Sequence, residues 1–433
     1  MASATRSQRS RRIPWLVVAG VLVAAVSMRG PIVAPTPVLG DIANDLVLTA
    51  SAAGLITTVP VLMFAILTPL AALVVRRAGA ETAVLLTLSG VLLGTLVRSL
   101  PGFGGMLAGM LIIGAAITVG NVVMPVIIRL DVPGERVAIV TAAYTAMLNL
   151  GSLLTSLGTA PLAAMIGWPL ALLAWGVLAL GGLALWGVHM RRDRGARSWA
   201  QHDSGESGAH PPAVTGPQQT VDELTGPMPV VRAAHAGERP AWRIPVAWML
   251  AGAFGMQSFA YYGISTWLPT FLADTLGTDQ AGAGALASMF QGFGIAGAFL
   301  VPLLARFGSP IVPALVICGC WLTMALGLLL APSLFLIWVV FGGLGQAGGF
   351  VVIFTTLVRI ARGSGEAAGM SALVQGCGYV IAATSAPLVG LLHEVSGGWT
   401  LPMLIIVVAS AIFTVCVLSG VWAARRVDAS TAA

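Results

Sequence analysis

The sequence predicts an all-α polytopic membrane protein, with twelve transmembrane helices arranged as two six-helix halves in a parallel repeat. Three observations carry that prediction. Of 433 residues, 57% are hydrophobic and only 9% are charged, a balance outside the range of water-soluble globular chains. Apolar runs long enough to cross a bilayer recur along the whole chain, separated by short breaks rich in Gly, Pro and charge. Features of the first half return roughly 230 residues later on the same expected side of the membrane, as parallel repeats require.

Taken in order, the first half has spans at about 13–36, 50–75, 82–100, 104–129, 137–163 and 168–190. The second has them at about 243–270, 282–306, 311–331, 334–358, 367–393 and 399–424. Residues 1–12 form an N-terminal tail; with Arg6, Arg9, Arg11 and Arg12 ahead of an apolar run they imitate a signal peptide. The run is too long for a signal-peptide core, so it reads as an uncleaved first span. Residues 191–242 are polar, rich in Pro and Gly and without periodicity, which predicts a disordered linker; residues 425–433 are a C-terminal tail. Domain organisation is therefore 13–190 and 243–424, joined by that linker.

Every basic residue is Arg, and all but Arg29 and Arg98 fall on one side of this topology. Positive residues collect on the cytoplasmic side, so both termini and the linker are expected in the cytoplasm of a cell whose inner (plasma) membrane holds the protein. The net charge of +6 is thereby explained without a nucleic-acid partner. Cys318, Cys320, Cys377 and Cys416 sit in apolar segments without disulfide or metal-ligand spacing, and three of the five histidines, His202, His210 and His235, lie in the linker. No cofactor or metal is expected, and the chain is expected to be monomeric.

The repeat is visible in particular residues. Arg77-Ala78-Gly79 after span two returns as Arg306-Phe307-Gly308 after span eight, and Ala160-Pro161-Leu162 with Gly167-Trp168 returns as Ala386-Pro387-Leu388 with Gly398-Trp399. Two six-span halves, a long cytoplasmic linker and an Arg-x-Gly turn after spans two and eight resemble the major facilitator superfamily. The first half is similar to its cyanate permease and nitroimidazole transporter branch, through Met28-Arg29-Gly30-Pro31, Pro37-Val38-Leu39, Gly54-Leu55, Thr57-Thr58-Val59-Pro60, Arg98-Ser99-Leu100 and Gly120-Asn121-Val122-Val123-Met124-Pro125. In the second half, Gly369-Met370-Ser371, Gln375-Gly376 and Gly378-Tyr379 add to it. The resemblance implies alternating access around a central cavity lined by spans one, four, seven and ten. It also implies a cytoplasmic gate at Arg76, Arg77, Gly79, Arg306 and Gly308. The superfamily turn usually carries an Asp where this chain has Arg76, and the Gly-Pro signature of its drug–proton antiporters is missing from span five.

Arg29 is the residue the functional reading turns on. It is the single charge in an apolar run, roughly 24 Å along the helix from Ile13, and an intramembrane charge normally faces a bundle interior or a water-filled cavity. The bland alternative is that it snorkels outward, or donates to helix carbonyls that Pro31, Pro35 and Pro37 leave free. The other candidates are Asn121, Tyr144 and Asn149 in the first half, and Gln257, Tyr261, Tyr262, Gln291, Gln346, Gln375 and Tyr379 in the second. For any one of them an interhelical hydrogen bond of about 1 kcal/mol is the competing explanation. Tyr261-Tyr262 ahead of Trp267 reads equally as a binding wall or an interface belt. Arg98, beside Ser99 and Pro101, is expected to snorkel at the outer interface.

All sixteen carboxylates fall in tails, loops, linker or span ends, so no buried Asp or Glu offers a proton relay. A buried Arg29 without a resident carboxylate is best explained if a small anionic substrate, cyanate-like or a short carboxylate, brings the negative charge. The alternative is a transporter or exporter of neutral nitroaromatic or drug-like compounds in which Arg29 is structural. A membrane receptor or intramembrane enzyme would need a catalytic dyad or metal cluster in the spans, and no nucleophile–base pair, HExxH or Walker motif is there. Because residues 191–242 lack the apolar surface to fold, limited protease is expected to cut there first and release two six-span fragments on a gel. First cleavage elsewhere would contradict the two-half organisation.

Overall fold

A computed structural model of the protein describes residues 15–132, 134–188, 190, 240–304, 311–361 and 364–432. Among these residues every regular element is helical. The first six spans are α1 Trp15–Val33, α2 Ala50–Ala78, α3 Ala80–Val97, α4 Phe103–Asp131, α5 Gly134–Ile166 and α6 Trp168–Val188. The second six are α7 Pro245–Leu276, α8 Gln280–Leu304, α9 Ile311–Leu330, α10 Phe335–Gln346 continued by Gly348–Ile360, α11 Ser364–Ala383 continued by Ser385–Ser396, and α12 Thr400–Ala432. The last helix runs beyond the expected end at 424, through the predicted tail. Of the predicted linker only 240–242 are described; 191–239 lie outside the described residues.

Eleven of these stretches are long and apolar enough to cross a membrane. The exception is α7, whose buried face carries Gln257, Ser258, Tyr261, Ser265 and Thr266. Its shortage of hydropathy marks it as a helix facing other protein, since lipid-facing positions exclude such groups.

The two halves meet through α2 against α11, α5 against α8, and a 3-10 turn at Thr36–Val38 that touches α7 and α8. Contact is closest at the membrane face opposite the chain termini, here called the distal face. A Cβ on Gly54 of α2 would fall 2.6 Å from the Ala386 carbonyl of α11, and one on Gly390 of α11 would fall 2.7 Å from the Ala50 carbonyl of α2. Only glycine permits this backbone-on-backbone crossing. One turn deeper, Thr57 and Thr266 share a 2.8 Å hydrogen bond across the halves.

The repeat reappears as tertiary structure at the distal rim. Trp168 donates from Nε1 to Asp45 at 2.7 Å, and Trp399 does the same to Asp274 at 2.9 Å. The Gly-Trp pairs predicted as repeats are thus one half of a repeated Trp–Asp bond, a pairing that the sequence did not reveal.

Arg98 departs from expectation. It is completely buried, not snorkelling, and its Nη1 and Nη2 donate to the carbonyls of Pro31 and Leu172 at 2.6 and 2.9 Å. Depth alone misled the reading: Arg98 ends α3, yet its side chain turns inward to backbone acceptors that helix breaks have made available.

Gly54→Val is expected to force α2 and α11 apart at the distal face, since the neighbouring atoms are backbone and cannot rotate away. Spin labels on Ser51→Cys and Val395→Cys should then report a longer inter-label distance than in the parent protein. An unchanged distribution would mean that the crossing tolerates a side chain.

Candidate functional site

The chain has four tyrosines, and the charge of Arg29 reaches all of them: Tyr144 from α5, Tyr261 and Tyr262 from α7, and Tyr379 from α11. Arg29 sits half-buried on α1 with its guanidinium carbon 4.6 Å from the centroid of the Tyr261 ring, a cation–π contact. Tyr261 and Tyr262 stand edge to face at 5.1 Å, and Tyr379 packs edge to face on Phe64 at 5.5 Å. The paired tyrosines pack against Arg29 and one another, with Tyr261 buried and Tyr262 half-buried.

The hydrogen bonds separate packing groups from open ones. Tyr261 exchanges bonds of 3.2 and 3.4 Å with the Gln291 amide, which also reaches Ser265. By contrast, no protein partner is found among the described residues for the Arg29 guanidinium or for the hydroxyls of Tyr144, Tyr262 and Tyr379. None of these atoms is among the sealed, unpartnered ones. They are therefore donors that keep some accessible surface and have no partner among the described residues. Among the described residues no carboxylate forms an ion pair with Arg29, and no three His, Cys, Asp or Glu side chains gather.

Three of the predicted amides serve packing instead. Asn149 donates across the halves to the Gly294 carbonyl at 3.1 Å. Gln257 donates to the Gln346 carbonyl at 3.0 Å, a group exposed by the break between the two segments of α10. Gln346 donates in turn to the Phe290 carbonyl at 2.7 Å. The side-chain oxygens of Asn149 and Gln346 are left buried and unpartnered, and both side chains lie against Gly294. Gln375 donates to Ser371 on its own helix at 3.0 Å, and Asn121 is half-buried on α4 with no hydrogen-bond partner among the described residues.

The predicted gate is only partly visible. Arg77 is exposed at the end of α2, and Gly79 takes the positive φ of 82° that turns the chain into α3. The Arg76 side chain, Arg306 and Gly308 lie outside the described residues. Two features escaped the sequence reading. The Thr57–Thr266 pair could have been suspected from two hydroxyls at matching depth in α2 and α7. The clamp of Arg98 on Pro31 could have been suspected from Pro35, which strips a hydrogen bond from the Pro31 carbonyl.

Comparison with known proteins gives a consistent result. Residues 16–334 match the Major Facilitator Superfamily. The 2-nitroimidazole transporter of Escherichia coli (strain K12) is 31% identical over 407 residues, 93% of this chain and 95% of that one. The uncharacterized transporter YycB of Bacillus subtilis (strain 168) is 30% identical over 91% of this chain and 90% of its own. The cyanate transport protein CynX of Escherichia coli (strain K12) is 30% identical over 164 residues, 36% of this chain and 40% of that one. In fold, the chain is similar to a bacterial homologue of the human lysosomal transporter Spinster, solved inward-facing and unoccupied, with a TM-score of 0.63, 15% identity and coverage of 96% and 98%. Twelve helical spans in two repeated halves, with a polar centre between them and this match over most of the chain, make the protein a multi-pass membrane transporter of small solutes that belongs to the Major Facilitator Superfamily.

Proposed function

We propose that the protein carries a small anion across the membrane by alternating access, with Arg29 as the recognition residue. The observation that supports this most is a cluster of donors without a resident acceptor: the Arg29 guanidinium and the hydroxyls of Tyr144, Tyr262 and Tyr379. A cation in a spanning helix is costly to hold, and a cation–π contact offsets only about 2 kcal/mol of that cost. An anionic solute would supply the missing charge and accept from the fork-shaped guanidinium and the phenols together. Tyrosine rings close around a small solute from three helices, which favours a compact and planar one. The Gly54 and Gly390 crossing then acts as the distal gate, and the turn at Arg76, Arg77 and Gly79, with its counterpart at Arg306 and Gly308, belongs to the opposite gate. The arginine distribution favours a plasma-membrane orientation with both termini cytoplasmic.

A second reading has its own support. One of the two relatives matched over nearly the whole chain is named for 2-nitroimidazole, and aromatic walls suit such a ring even with Arg29 in a purely structural role.

Labelled cyanate and labelled 2-nitroimidazole distinguish the two in whole-cell uptake. Arg29→Gln is expected to raise the apparent constant for cyanate roughly 10- to 100-fold, about 1.5–3 kcal/mol, with unchanged amounts of protein in the membrane. Arg29→Lys should fall between, because it keeps the charge and loses the planar fork. Cyanate uptake indifferent to Arg29→Gln, alongside saturable 2-nitroimidazole uptake, would put the neutral solute first.

A further inference from the structure

We infer that Arg98 is a positioning residue for Arg29, acting through the Pro31 carbonyl of α1, which Pro35 leaves without a backbone donor. The backbone stays helical past the end of α1: Ala34 still donates to the Gly30 carbonyl at 2.8 Å, and Pro35 has φ −67° and ψ −23°. A residue with an N–H at 35 would therefore bond the Pro31 carbonyl next in the series. Pro35 has none, and Nη1 of Arg98 takes that acceptor at 2.6 Å. The neighbouring case is met locally: Pro37 frees the Val33 carbonyl, and the Thr36 hydroxyl donates to it at 2.9 Å.

The other end of the guanidinium is equally placed. Nη2 donates at 2.9 Å to the Leu172 carbonyl, three residues before α6 is interrupted at Trp175. Nε has no partner, so the whole buried charge rests on two backbone oxygens and a 3.9 Å contact with the Met110 sulfur. The base of the side chain is fixed from behind, since the backbone of Arg98 lies directly against Gly109 of α4. One rigid fork thus ties α1 to α6 from the α3–α4 pair.

Arg29 is two residues before Pro31, less than one helical turn. Close packing at Gly30 and Gly151 sets how near α1 lies to α5, because a Cβ on Gly30 would fall 2.9 Å from Thr155. Such a contact leaves rotation about the helix axis free, whereas a directed bond to one carbonyl does not. Arg98 fixes that rotation at the Pro31 end, beyond the Ser27 hydroxyl that donates to the Leu178 carbonyl at 2.9 Å, and with it the position of the Arg29 guanidinium over Tyr261.

The functional consequence rests on Arg29 being the recognition residue, so the test reads its position separately from transport. Fluorotyrosine replaces all four tyrosines, and Tyr261→Phe assigns the fluorine resonance that lies beneath Arg29. In detergent-purified protein, Arg98→Met is expected to move that resonance toward its value in Arg29→Met. Adding Pro35→Ala to Arg98→Met supplies an N–H for the Pro31 carbonyl and should bring it back. The apparent constant for cyanate should rise about tenfold in Arg98→Met and return to within about twofold in the double variant. Should Arg98→Met not fold, Arg98→Lys, which keeps a cation but cannot span both carbonyls, replaces it in the same comparison. A Tyr261 resonance unmoved in folded Arg98→Met or Arg98→Lys overturns the proposal. So does a moved resonance that Pro35→Ala fails to restore. If instead the resonances behave as expected while Arg29→Gln leaves cyanate uptake normal, the positioning stands and the anion reading falls.

Discussion

An acceptor stripped of its donor inside a membrane must be answered by another protein group, because lipid offers nothing to it. The Pro31 carbonyl is such an acceptor, and much of the first half is arranged around its answer. Proline at 35 removes the N–H, the interruption of α6 makes the Leu172 carbonyl available, and a single buried guanidinium satisfies both. Gly109 gives that arginine its seat by letting α4 come up against its backbone. The cost of burying a charge is offset by charge-assisted bonds to carbonyls already desolvated by their own helices.

The same rule divides the polar residues between the halves into two kinds. Asn149, Gln257 and Gln346 spend their donors on backbone carbonyls of facing helices, and behave as interhelical fastenings. Arg29 and three of the tyrosines keep theirs among the described residues, and those donors remain free to meet an acceptor. Asn149 is the instructive case, since its bond to Gly294 joins the two halves and has to break if α5 and α8 separate there. Its orphaned oxygen and that of Gln346 leave this seam less than fully satisfied, which lowers the cost of parting it.

The architecture was legible because hydropathy, helix length and arginine placement all derive from the bilayer. Even α7, the least apolar span, was identifiable from its flanks, and its poverty in hydropathy turned out to mark the helix that contributes most to the centre. The ring of tyrosines was legible as a set of residues but not as a ring, since no local pattern says that positions 144, 261, 262 and 379 converge. Arg98 was misread because depth along a helix predicts snorkelling only when nothing inward needs a donor. Pro35 was read as freeing a carbonyl for Arg29, whereas the carbonyl it frees, four residues back along the chain, is taken by an arginine 67 residues further on. The Gly54 and Gly390 crossing was hidden for a similar reason: a glycine in an apolar run announces itself only through what lies opposite.

The unanswered carbonyl also has a history within each molecule. Synthesis proceeds from the N-terminus, so α1 reaches the bilayer before either of its partners has been made. The Pro31 carbonyl waits for α3 to be completed. Arg29 waits longer, for Tyr261 on the far side of the linker. Until α7 arrives, water, lipid head groups or the insertion machinery must stand in for the tyrosine ring. The first helix made is thus satisfied only once the second half has begun to arrive, and in that interval the nascent chain is open to misassembly and to quality control.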